Sequence, residues 1–317
     1  MPRRMLVSLL VVIGLAALPA AAQARVNVTV GIGDQSPKMF ADPLYQALHL
    51  KQTRYFIHWD AATDPAELTK ADQFVAAARA AGVKVLMHLS TDNLTAGQGT
   101  LPSVAAYKKA AKALIARYKP FGVKDWGVWN EENHTTQPTS KSPKRAAQYY
   151  KTFKSLCSGC NIVALDVLDQ KGVETYIKQW MAAAGPSGRT AKIIGIHNYS
   201  QVNRKITEKN ASSRYPGIAR IVKAVRLKNK VSKFWLTETG GVVNFGGDLP
   251  CNQSRAANRT KFMFGLLKTY DKYIDRLYSY NWFGNACDGF DAGLVNANGT
   301  ARPAYAVYKA QLKNVKR

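Results

Sequence analysis

The stretch "DWGVWNEEN" (residues 125–133) joins an apolar, β-favouring run to an abruptly polar end. Its aromatic and β-branched residues are typical of a buried strand. The run then stops at two adjacent carboxylates, Glu131 and Glu132, directly after Asn130. A strand that ends in this way either emerges into solvent or delivers an acid to a reaction, and the rest of the chain decides between the two.

Seven more runs of this kind occur along the chain, separated by stretches with helical periodicity. The eight predicted strands are residues 26–34, 53–60, 83–90, 125–133, 161–169, 193–200, 233–241 and 276–284. The predicted helices are residues 65–82, 104–118, 143–156, 174–185, 215–227, 254–273 and 303–315, with a weaker one around 43–50. This alternation predicts an α/β fold, a single-domain (β/α)8 TIM barrel. An open doubly wound sheet is the alternative, but "GIGDQS" (31–36) lacks the third glycine of a phosphate-binding loop.

The first 24 residues have the pattern of a secretory signal peptide. Arg3 and Arg4 precede an apolar stretch, and small residues precede a predicted cleavage site at Ala24. The apolar part is too short for a typical membrane span, although a retained N-terminal anchor is the alternative. We therefore predict a secreted protein, extracellular or periplasmic, in which residues 25–317 form the barrel domain and no segment spans a membrane.

The chain is strongly basic, with 45 Lys and Arg against 20 Asp and Glu in 317 residues. Loss of the predicted signal peptide removes two arginines and no acid, so the net charge falls from +25 to +23. A surface of this sign suits contact with an anionic partner, such as an acidic polysaccharide, a cell-wall polymer, a membrane face or nucleic acid, and a simply solvated cationic surface is the alternative. The basic residues are scattered and match no nucleic-acid-binding motif, so we expect no nucleic-acid partner.

The four cysteines predict two disulfide bonds, because exported proteins mature in an oxidising compartment. Cys157 and Cys160 would close a tight local loop, and Cys251 and Cys287 would then pair over a longer span. A redox-active C-x-x-C pair is the competing interpretation, but the surrounding thioredoxin-like pattern is missing. The spacing of the second pair argues against a zinc site.

In a (β/α)8 barrel the chemistry lies at the carboxyl ends of the strands, so the residue types found there are informative. Nine of the twenty acidic residues lie at or just after predicted strand ends: Asp34, Asp60, Asp92, Glu131, Glu132, Asp169, Glu238, Asp288 and Asp291. Aromatic residues gather at the same ends: Trp59, Trp129, Tyr199, Trp282 and Phe283. Because carboxylates can act as acids or nucleophiles and aromatic faces stack on sugar rings, these ends predict a mouth that acts on carbohydrate.

Glu131 and Glu238 end the fourth and seventh predicted strands, whose ends face one another across a closed barrel. Two carboxyl groups aimed at one point can cleave a glycosidic bond, provided that one holds a proton and the other stays ionised. A separation of about 5–5.5 Å retains the anomeric configuration, and about 6.5–9.5 Å inverts it.

The pattern resembles the clan A retaining glycoside hydrolases. The resemblance rests on Asn130-Glu131, on "FWLTETGG" (234–241) with its Glu238, on "IHNYS" (196–200) and on "YNWFG" (280–284). The tail "GLVNANGTARPAYAVY" (293–308) also looks like the end of many such enzymes, so the likeness spans nearly the whole chain after residue 24. Within the clan, the size and the motif "LTETGG" are similar to families 39 and 5 and to small endoglucanase-like barrels, which remain open.

The resemblance implies a role for each matching residue. Glu131 would be the general acid/base, Glu238 the nucleophile, and Asn130 the partner of the sugar 2-hydroxyl. Side chains that would support the nucleophile or bind substrate are Arg54, His197, Tyr199, Trp282 and Trp59, with Trp282 as the platform under the reacting sugar. Strand alternation would place His197 and Tyr199 on one face.

The chain departs from many relatives at Glu132, where they have proline. We expect Glu132 to turn away as an ordinary loop residue, and substrate or cation binding is the alternative. We expect no metal and no cofactor, because a metal-dependent amidohydrolase barrel would carry His-x-His on the first strand. His58 and His88 are then structural or contact substrate. Eight N-x-Ser/Thr sequons occur, and a glycan on Asn133 or Asn198 would obstruct the site, which favours a bacterial exported protein.

The leading hypothesis is a secreted, monomeric retaining glycosidase that cuts within a polysaccharide and needs no cofactor. A barrel that binds carbohydrate or cell wall without cleaving it is the first alternative, although such proteins usually lose one of the two carboxylates. A transglycosylase is the second alternative, because the same residues serve when an acceptor sugar replaces water. Sugar identity, linkage and endo or exo action stay open.

Overall fold

A closed parallel sheet forms the centre of the protein in a computed structural model that describes residues 25–316. Its strands are β1 Val26–Gly33, β2 Gln52–His58, β3 Lys84–Ser90, β4 Asp125–Gly127, β5 Asn161–Leu168, β6 Ile193–His197, β7 Lys233–Thr239 and β9 Ile274–Tyr280. They pair in chain order, and β1 also pairs with β9, which closes the barrel. The predicted TIM barrel is therefore confirmed, and the predicted signal peptide lies outside the described residues.

Three shorter strands complete the sheet structure. β8 (Asn244–Phe245) and β10 (Phe290–Asp291) form a separate antiparallel pair, and β11 (Val315–Lys316) adds to the start of β1. The disulfide between Cys251 and Cys287 joins the segments that follow β8 and precede β10. The predicted second disulfide, Cys157–Cys160, closes the turn before β5.

Helices cover the outside of the barrel. They are α1 Pro43–Gln46, α2 Pro65–Ala80, α3 Val104–Tyr118, α4 Pro143–Leu156, α5 Val173–Ala184, α6 Pro186–Arg189, α7 Tyr199–Arg204, α8 Gly217–Arg226, α9 Gln253–Thr269 and α10 Pro303–Gln311. Local capping explains several starts: the Asp64 carboxylate accepts from two backbone N–H groups of α2, and Ser103 and Asn252 do the same once each for α3 and α9. The weak first helix shrinks to the single turn of α1. Within residues 25–316, no helix is both long enough and apolar enough to cross a membrane.

The fourth strand is much shorter than the predicted run 125–133. Its regular ladder ends at Gly127, after which the backbone makes single hydrogen bonds from Val128 to Val163 and from Asn130 to Leu89. The chain then turns across the mouth of the barrel, and Glu131 adopts a left-handed φ of 43°. The abrupt polar end seen in the sequence is therefore the point at which the strand leaves the sheet.

The barrel interior is filled in layers of different chemistry. Near its amino-terminal end, a small apolar cluster of buried side chains is separate from the main core: Leu86, Val163, Ile193, Trp235 and Tyr278. Because side chains alternate along a strand, residues two positions further on enter the barrel above this cluster. Two of these, His88 and Thr237, are polar and buried, and both contact the buried Asp166 of β5, while His88 also contacts the buried Arg54 of β2. The main apolar core lies outside, between the strands and the helices.

Glycines on two strands make room for this polar layer. A Cβ on Gly127 would overlap the ring of His88, and a Cβ on Gly195 would overlap the carboxylate of Asp166 and approach Thr237. Neither glycine has an unusual φ that would itself require glycine. Their role is therefore to leave space inside the barrel for larger polar partners.

We expect Gly195→Ala to destabilise the protein by about 1–3 kcal/mol, because the added methyl has no space without displacing Asp166. Gly265→Ala is the matched control, since Gly265 lies inside α9 and faces open space where the added methyl group would lie. The control should stabilise by roughly 1 kcal/mol through helix propensity. Urea denaturation measures both, and a Gly195→Ala variant as stable as the wild type would contradict the steric argument.

Candidate active site

The two candidate carboxylates meet over the mouth of the barrel. Glu131 follows β4, Glu238 lies near the end of β7, and a carboxylate oxygen of each lies within 4.8 Å of the other and of a ring nitrogen of His197. Both side chains are largely buried but reach a cleft of about 510 Å³. Residues far apart in the sequence therefore face one space large enough for part of a sugar chain.

Glu238 is held by a donor on each of its oxygens. Arg54 Nη1 donates to Oε2 at 2.7 Å, and the Tyr199 hydroxyl donates to Oε1 at 2.9 Å. Burial and the charge of Glu238 raise the pKa of the Tyr199 phenol well above its usual range, so it stays a donor. A cation and a neutral hydroxyl together fix the direction of this carboxylate.

Arg54 connects Glu238 to the fourth strand. Its Nη2 donates to Asn130 Oδ1, and its Nε donates to His88 Nδ1 at 3.3 Å. The Asn130 side chain lines the cleft, and within the described residues its NH₂ group has no hydrogen-bond partner. That group is left as a donor toward the cleft.

Glu131 reaches the cleft because of its backbone. Its left-handed φ reverses the chain, and its own N–H donates to Asp166 Oδ2 at 3.2 Å. One of its carboxylate oxygens, Oε1, lies 3.0 Å from His197 Nδ1, and His134 approaches Oε2 at 3.8 Å. Burial alone would raise the pKa of Glu131, but the hydrogen bond and charge of His197 outweigh it and lower the pKa below its usual 4.5.

His197 lies between three carboxylates. Besides Glu131, it has Asp166 Oδ2 at 2.9 Å from Nε2, as an ion pair rather than an aligned hydrogen bond, and Glu238 Oε2 at 3.8 Å from Nδ1. Burial would lower its pKa, but the charges of Asp166 and Glu238 outweigh burial and raise it to about 10. His197 is therefore a cation in this site, and it contacts the predicted acid/base more closely than the predicted nucleophile.

The predicted placement of Tyr199 on strand six is wrong in detail. β6 ends at His197, and Tyr199 begins helix α7. Asp169 stabilises the start of α7, because its carboxylate accepts from the backbone N–H groups of Ser200 and Gln201 at 2.9 and 2.7 Å. Both His197 and Tyr199 nevertheless face the site, because the helix starts directly over the mouth.

Glu132 turns away from the cleft, as expected, but it is no ordinary loop residue. Its side chain is completely buried, and neither carboxylate oxygen has a hydrogen-bond partner within the described residues. Burial, with a smaller contribution from the charge of Asp166, raises its pKa well above 4.5. The left-handed conformation of Glu131 explains the divergence of the two neighbouring acids. Glu132 is a neutral carboxylic acid inside the protein.

Trp282 does not form the predicted platform. It is fully buried, its ring packs edge-on against Tyr45 and Tyr305, and its Nε1 donates to Asp42 at 2.9 Å. Trp59 also lies away from the cleft lining and packs partly buried against the main core. The strand-end position alone did not determine which way these side chains point.

Four other aromatic residues line the cleft instead. Phe56, Tyr280, Phe290 and Phe245 follow one another along one side, with ring centroids 5.9–6.5 Å apart. We call this set the aromatic wall. Phe245 and Phe290 belong to the β8–β10 pair next to the Cys251–Cys287 disulfide, and 53% of Phe245 is exposed. Phe290 also packs on Tyr199, so the wall reaches the immediate surroundings of Glu238.

Several of the acids at strand ends are structural. Asp34 accepts from the backbone of Trp282 and Phe283, and Asp291 forms a buried ion pair with Arg302. Asp169, described above, is fully buried, and burial raises its pKa to about 7. Clustering at strand ends therefore overstated the number of acids available for chemistry.

Asp166 is the main site residue that the sequence reasoning missed. It lies within β5, in the apolar run "NIVALDVLD", and it is completely buried against His88, His197 and Thr237. A charged residue in the middle of an apolar strand was the available signal, because a fully buried acid requires a partner.

The asparagine side chains of two sequons beside the site are buried within the protein. Asn133 Nδ2 donates to Leu168 O at 2.9 Å and its Oδ1 accepts from Leu168 N at 2.8 Å, while Asn198 is completely buried. Neither amide is presented to solvent as a glycan acceptor would be.

Distance alone would allow Glu131, His197 and Glu238 to surround a cation. Each of these side chains has a partner within the protein, however: Arg54 and Tyr199 donate to the two oxygens of Glu238, and the His197 ring lies 3.0 Å from Glu131. The group therefore suits proton and nucleophile chemistry.

The chain is similar to known carbohydrate-active proteins. A family model described as glycosyl hydrolase catalytic core matches residues 102–308, more than half of the chain. Among curated proteins, no sequence matches it. The solved structures that resemble it include a xylanase from Paenibacillus barcinonensis, with 13% identity, TM-score 0.62 and coverage of 92% of this chain and 99% of the xylanase.

Two further solved structures are similar. One is a xylanase from Thermotoga maritima, with 12% identity, TM-score 0.61 and coverage of 90% of this chain and 95% of the other. Another is a family 39 glycoside hydrolase from Bacteroides cellulosilyticus, with 15% identity, TM-score 0.57 and coverage of 92% and 64%. At these identities the likeness shows a shared fold, which agrees with the barrel found here.

The buried Glu132 predicts a specific dependence of stability on pH. Below pH 4.5 both folded and unfolded chains hold this proton; above it the unfolded chain releases the proton and the folded chain keeps it. The free energy of unfolding should therefore fall by about 1.4 kcal/mol per pH unit until the folded pKa is reached. Glu132→Gln should remove that component, so the variant gains stability over the wild type as pH rises.

Urea denaturation between about pH 4 and 8 measures the difference. Glu132→Leu serves as a second variant and should give the same shallower slope, although its packing differs. Identical slopes in wild type and both variants would show that Glu132 ionises freely in the folded protein.

Proposed function

Because the chain belongs to the glycosyl hydrolase catalytic core family, we propose that it cleaves glycosidic bonds with retention, using Glu131 as general acid/base and Glu238 as nucleophile. The observation that carries the proposal is the approach of the two carboxylates to within 4.8 Å. An oxygen-to-oxygen distance of this size supports the separation of about 5–5.5 Å of retaining enzymes over the about 6.5–9.5 Å of inverting enzymes.

In the first step an oxygen of Glu238 attacks the anomeric carbon. The bond from that carbon to the leaving oxygen breaks, its electron pair moves to the oxygen, and the proton of Glu131 is transferred there. Arg54 and Tyr199 support this assignment, because their hydrogen bonds fix the direction of the Glu238 carboxylate before the attack. The product is a glycosyl ester of Glu238.

In the second step Glu131 acts as a base. It takes a proton from water while the water oxygen attacks the anomeric carbon, and the ester electron pair returns to Glu238. His197 supports this step, since a nearby cation favours the ionised form of Glu131. Two displacements at the same carbon restore the original configuration.

The positive charge of His197 opposes the first step, because Glu131 must hold a proton there. Substrate in the cleft displaces water, and loss of solvent raises the pKa of a carboxyl group. Negative charge that develops on the leaving oxygen then draws the proton across. The free site thus favours the base form of Glu131, and the occupied site favours the acid form.

Asn130 is the proposed contact to the sugar 2-hydroxyl. Arg54 engages its oxygen, so the NH₂ group is fixed as the donor. A hydrogen bond to the 2-hydroxyl strengthens in the transition state and contributes to catalysis.

We propose a polysaccharide cut within the chain as the substrate. The aromatic wall supports this, because it extends from the surroundings of Glu238 to the exposed Phe245 and offers faces to more than one sugar ring. Two of the similar structures are xylanases, so xylan belongs in the substrate screen beside glucans, mannans and anionic polysaccharides. The basic surface does not discriminate among these.

Secretion remains part of the proposal. The disulfides Cys157–Cys160 and Cys251–Cys287 support maturation in an oxidising compartment. We propose that the signal peptide is removed near Ala24 and that residues 25–317 act as a monomer.

The proposed roles give different expectations for the two carboxylates. Glu238→Gln should lower kcat at least about 10³-fold on every substrate, because no nucleophile remains. Glu131→Ala should lower kcat/KM by about 10²–10⁴ on poor leaving groups and far less on activated aryl glycosides, because only the first step depends on the leaving group. Azide should restore part of the activity on the activated substrate and give a glycosyl azide of retained configuration, which NMR identifies.

Glu174→Gln on α5 is the control and should leave turnover unchanged, since Glu174 only pairs with Arg220 near the surface. Inverted products, or a Glu238→Gln variant that remains active, would overturn the assignment. Sugar-to-sugar transfer products in place of reducing ends would identify a transglycosylase, and binding without any turnover would identify a carbohydrate-binding barrel.

The aromatic wall predicts a separate effect on polymers. Phe245→Ala should raise KM for the polysaccharide about 3- to 10-fold, because one stacking face is lost, and leave kcat/KM for a small aryl glycoside near the wild-type value. Phe121→Ala is the matched control, since Phe121 is exposed to 51% but lies after α3, away from the cleft. Equal effects on polymer and small substrate would argue against an extended binding surface.

A further inference from the structure

A buried acid lies directly behind the two cleft carboxylates. Asp166 of β5 is completely buried and does not line the cleft. It contacts His88 of β3, the Glu131 backbone after β4, His197 of β6 and Thr237 of β7. We propose that Asp166 is a positioning residue, which holds His197 as a cation and fixes the backbone that presents Glu131. Its effect on kinetics rests on the proposed function, whereas its effect on His197 does not.

One oxygen of Asp166 serves the catalytic side. Oδ2 lies 2.9 Å from His197 Nε2 and accepts the Glu131 backbone N–H at 3.2 Å. A single atom therefore touches both the ring that bonds the Glu131 carboxylate and the peptide whose left-handed turn directs it. Moving that oxygen would therefore shift Glu131 both through the His197 ring and through the Glu131 backbone.

The other oxygen anchors Asp166. Oδ1 accepts the hydroxyl of Thr237, one residue before Glu238. Gly195 leaves the space that this carboxylate occupies. The acid is therefore fixed on both sides, and β5 is tied to β7 beneath the cleft.

His88 is also near Asp166, at 3.8 Å, but it cannot neutralise the acid. Its Nδ1 accepts from Arg54 Nε, and its Nε2 lies 3.1 Å from the Trp129 carbonyl oxygen, which must accept the ring proton. Both nitrogens are used by a neutral ring, and burial lowers its pKa to about 3. His197 is thus the cation that compensates Asp166.

The charges of the whole group support this assignment. The titratable side chains next to Asp166 and His197 are Arg54 from β2, His88 from β3, Glu131 and the neutral Glu132 after β4, and Glu238 from β7, and the phenols of Tyr199 and Tyr280 lie near Glu238. Arg54 and His197 carry two positive charges, and Asp166 and Glu238 carry two negative ones. The group is therefore neutral when Glu131 holds its proton, as the first chemical step requires.

Asp166→Asn removes one negative charge at constant shape. Neutrality is then regained if His197 loses its proton, so we expect its pKa to fall from about 10 by about 1 to 3. Titration of ¹⁵N-labelled histidine by NMR measures this, with His197→Gln to assign the signal. On an aryl glycoside, kcat should fall roughly 10²-fold with a smaller change in KM.

Asp125→Asn is the matched control. Asp125 is also buried and ion-paired, with Arg276, but lies at the start of β4 at the opposite end of the barrel. Its variant should not move the His197 pKa. A folded Asp166→Asn protein with an unchanged His197 pKa would overturn the proposal.

The wild-type protein provides a test even if Asp166→Asn fails to fold. A His197 signal that is neutral at pH 7 in the wild type would also overturn the proposal. If the titration behaves as expected but no sugar polymer is hydrolysed, the proposed function fails while the pairing of Asp166 with His197 stands.

Discussion

The site depends on one electrostatic constraint: two carboxylates within 4.8 Å must be held together against their mutual repulsion. Arg54 and His197 supply the opposing charges, one on each side, and both reach the site from inside the barrel. Each cation has a buried partner in turn, because an unpaired charge in this environment would be too costly. The arrangement of the barrel interior follows from this requirement.

Because these charges need buried partners, polar side chains take the place of apolar ones inside the barrel near its mouth. Trp235 and Tyr278 belong to the apolar cluster inside the barrel, and above them Arg54, His88 and Asp166 form a connected polar layer. Such networks are stable when their members are satisfied. Glycines on neighbouring strands provide the space, so sequence positions with no side chain are part of the site.

The alternation of strand-like and helical runs predicted the barrel and the meeting of Glu131 with Glu238, because strand order fixes which ends face each other. The four cysteines of a chain predicted to be exported indicated the two disulfides. Side-chain direction beyond the strand ends was not predictable. Trp282 turns into the core because Asp42 and two aromatic rings receive it, and the aromatic wall depends on a short hairpin with no periodic signal. Asp166 was overlooked because its partners come from three other strands, which only the closed barrel brings together.

The closed sequons affect how the protein can be produced. Oligosaccharide transfer in a eukaryotic secretory pathway acts on the nascent chain, when Asn133 and Asn198 are still accessible. A glycan on either would then occupy space that the finished barrel fills with Leu168 and the buried turn at Asn198. A host without asparagine-linked glycosylation avoids this conflict, and one that has it would need both acceptor sites removed.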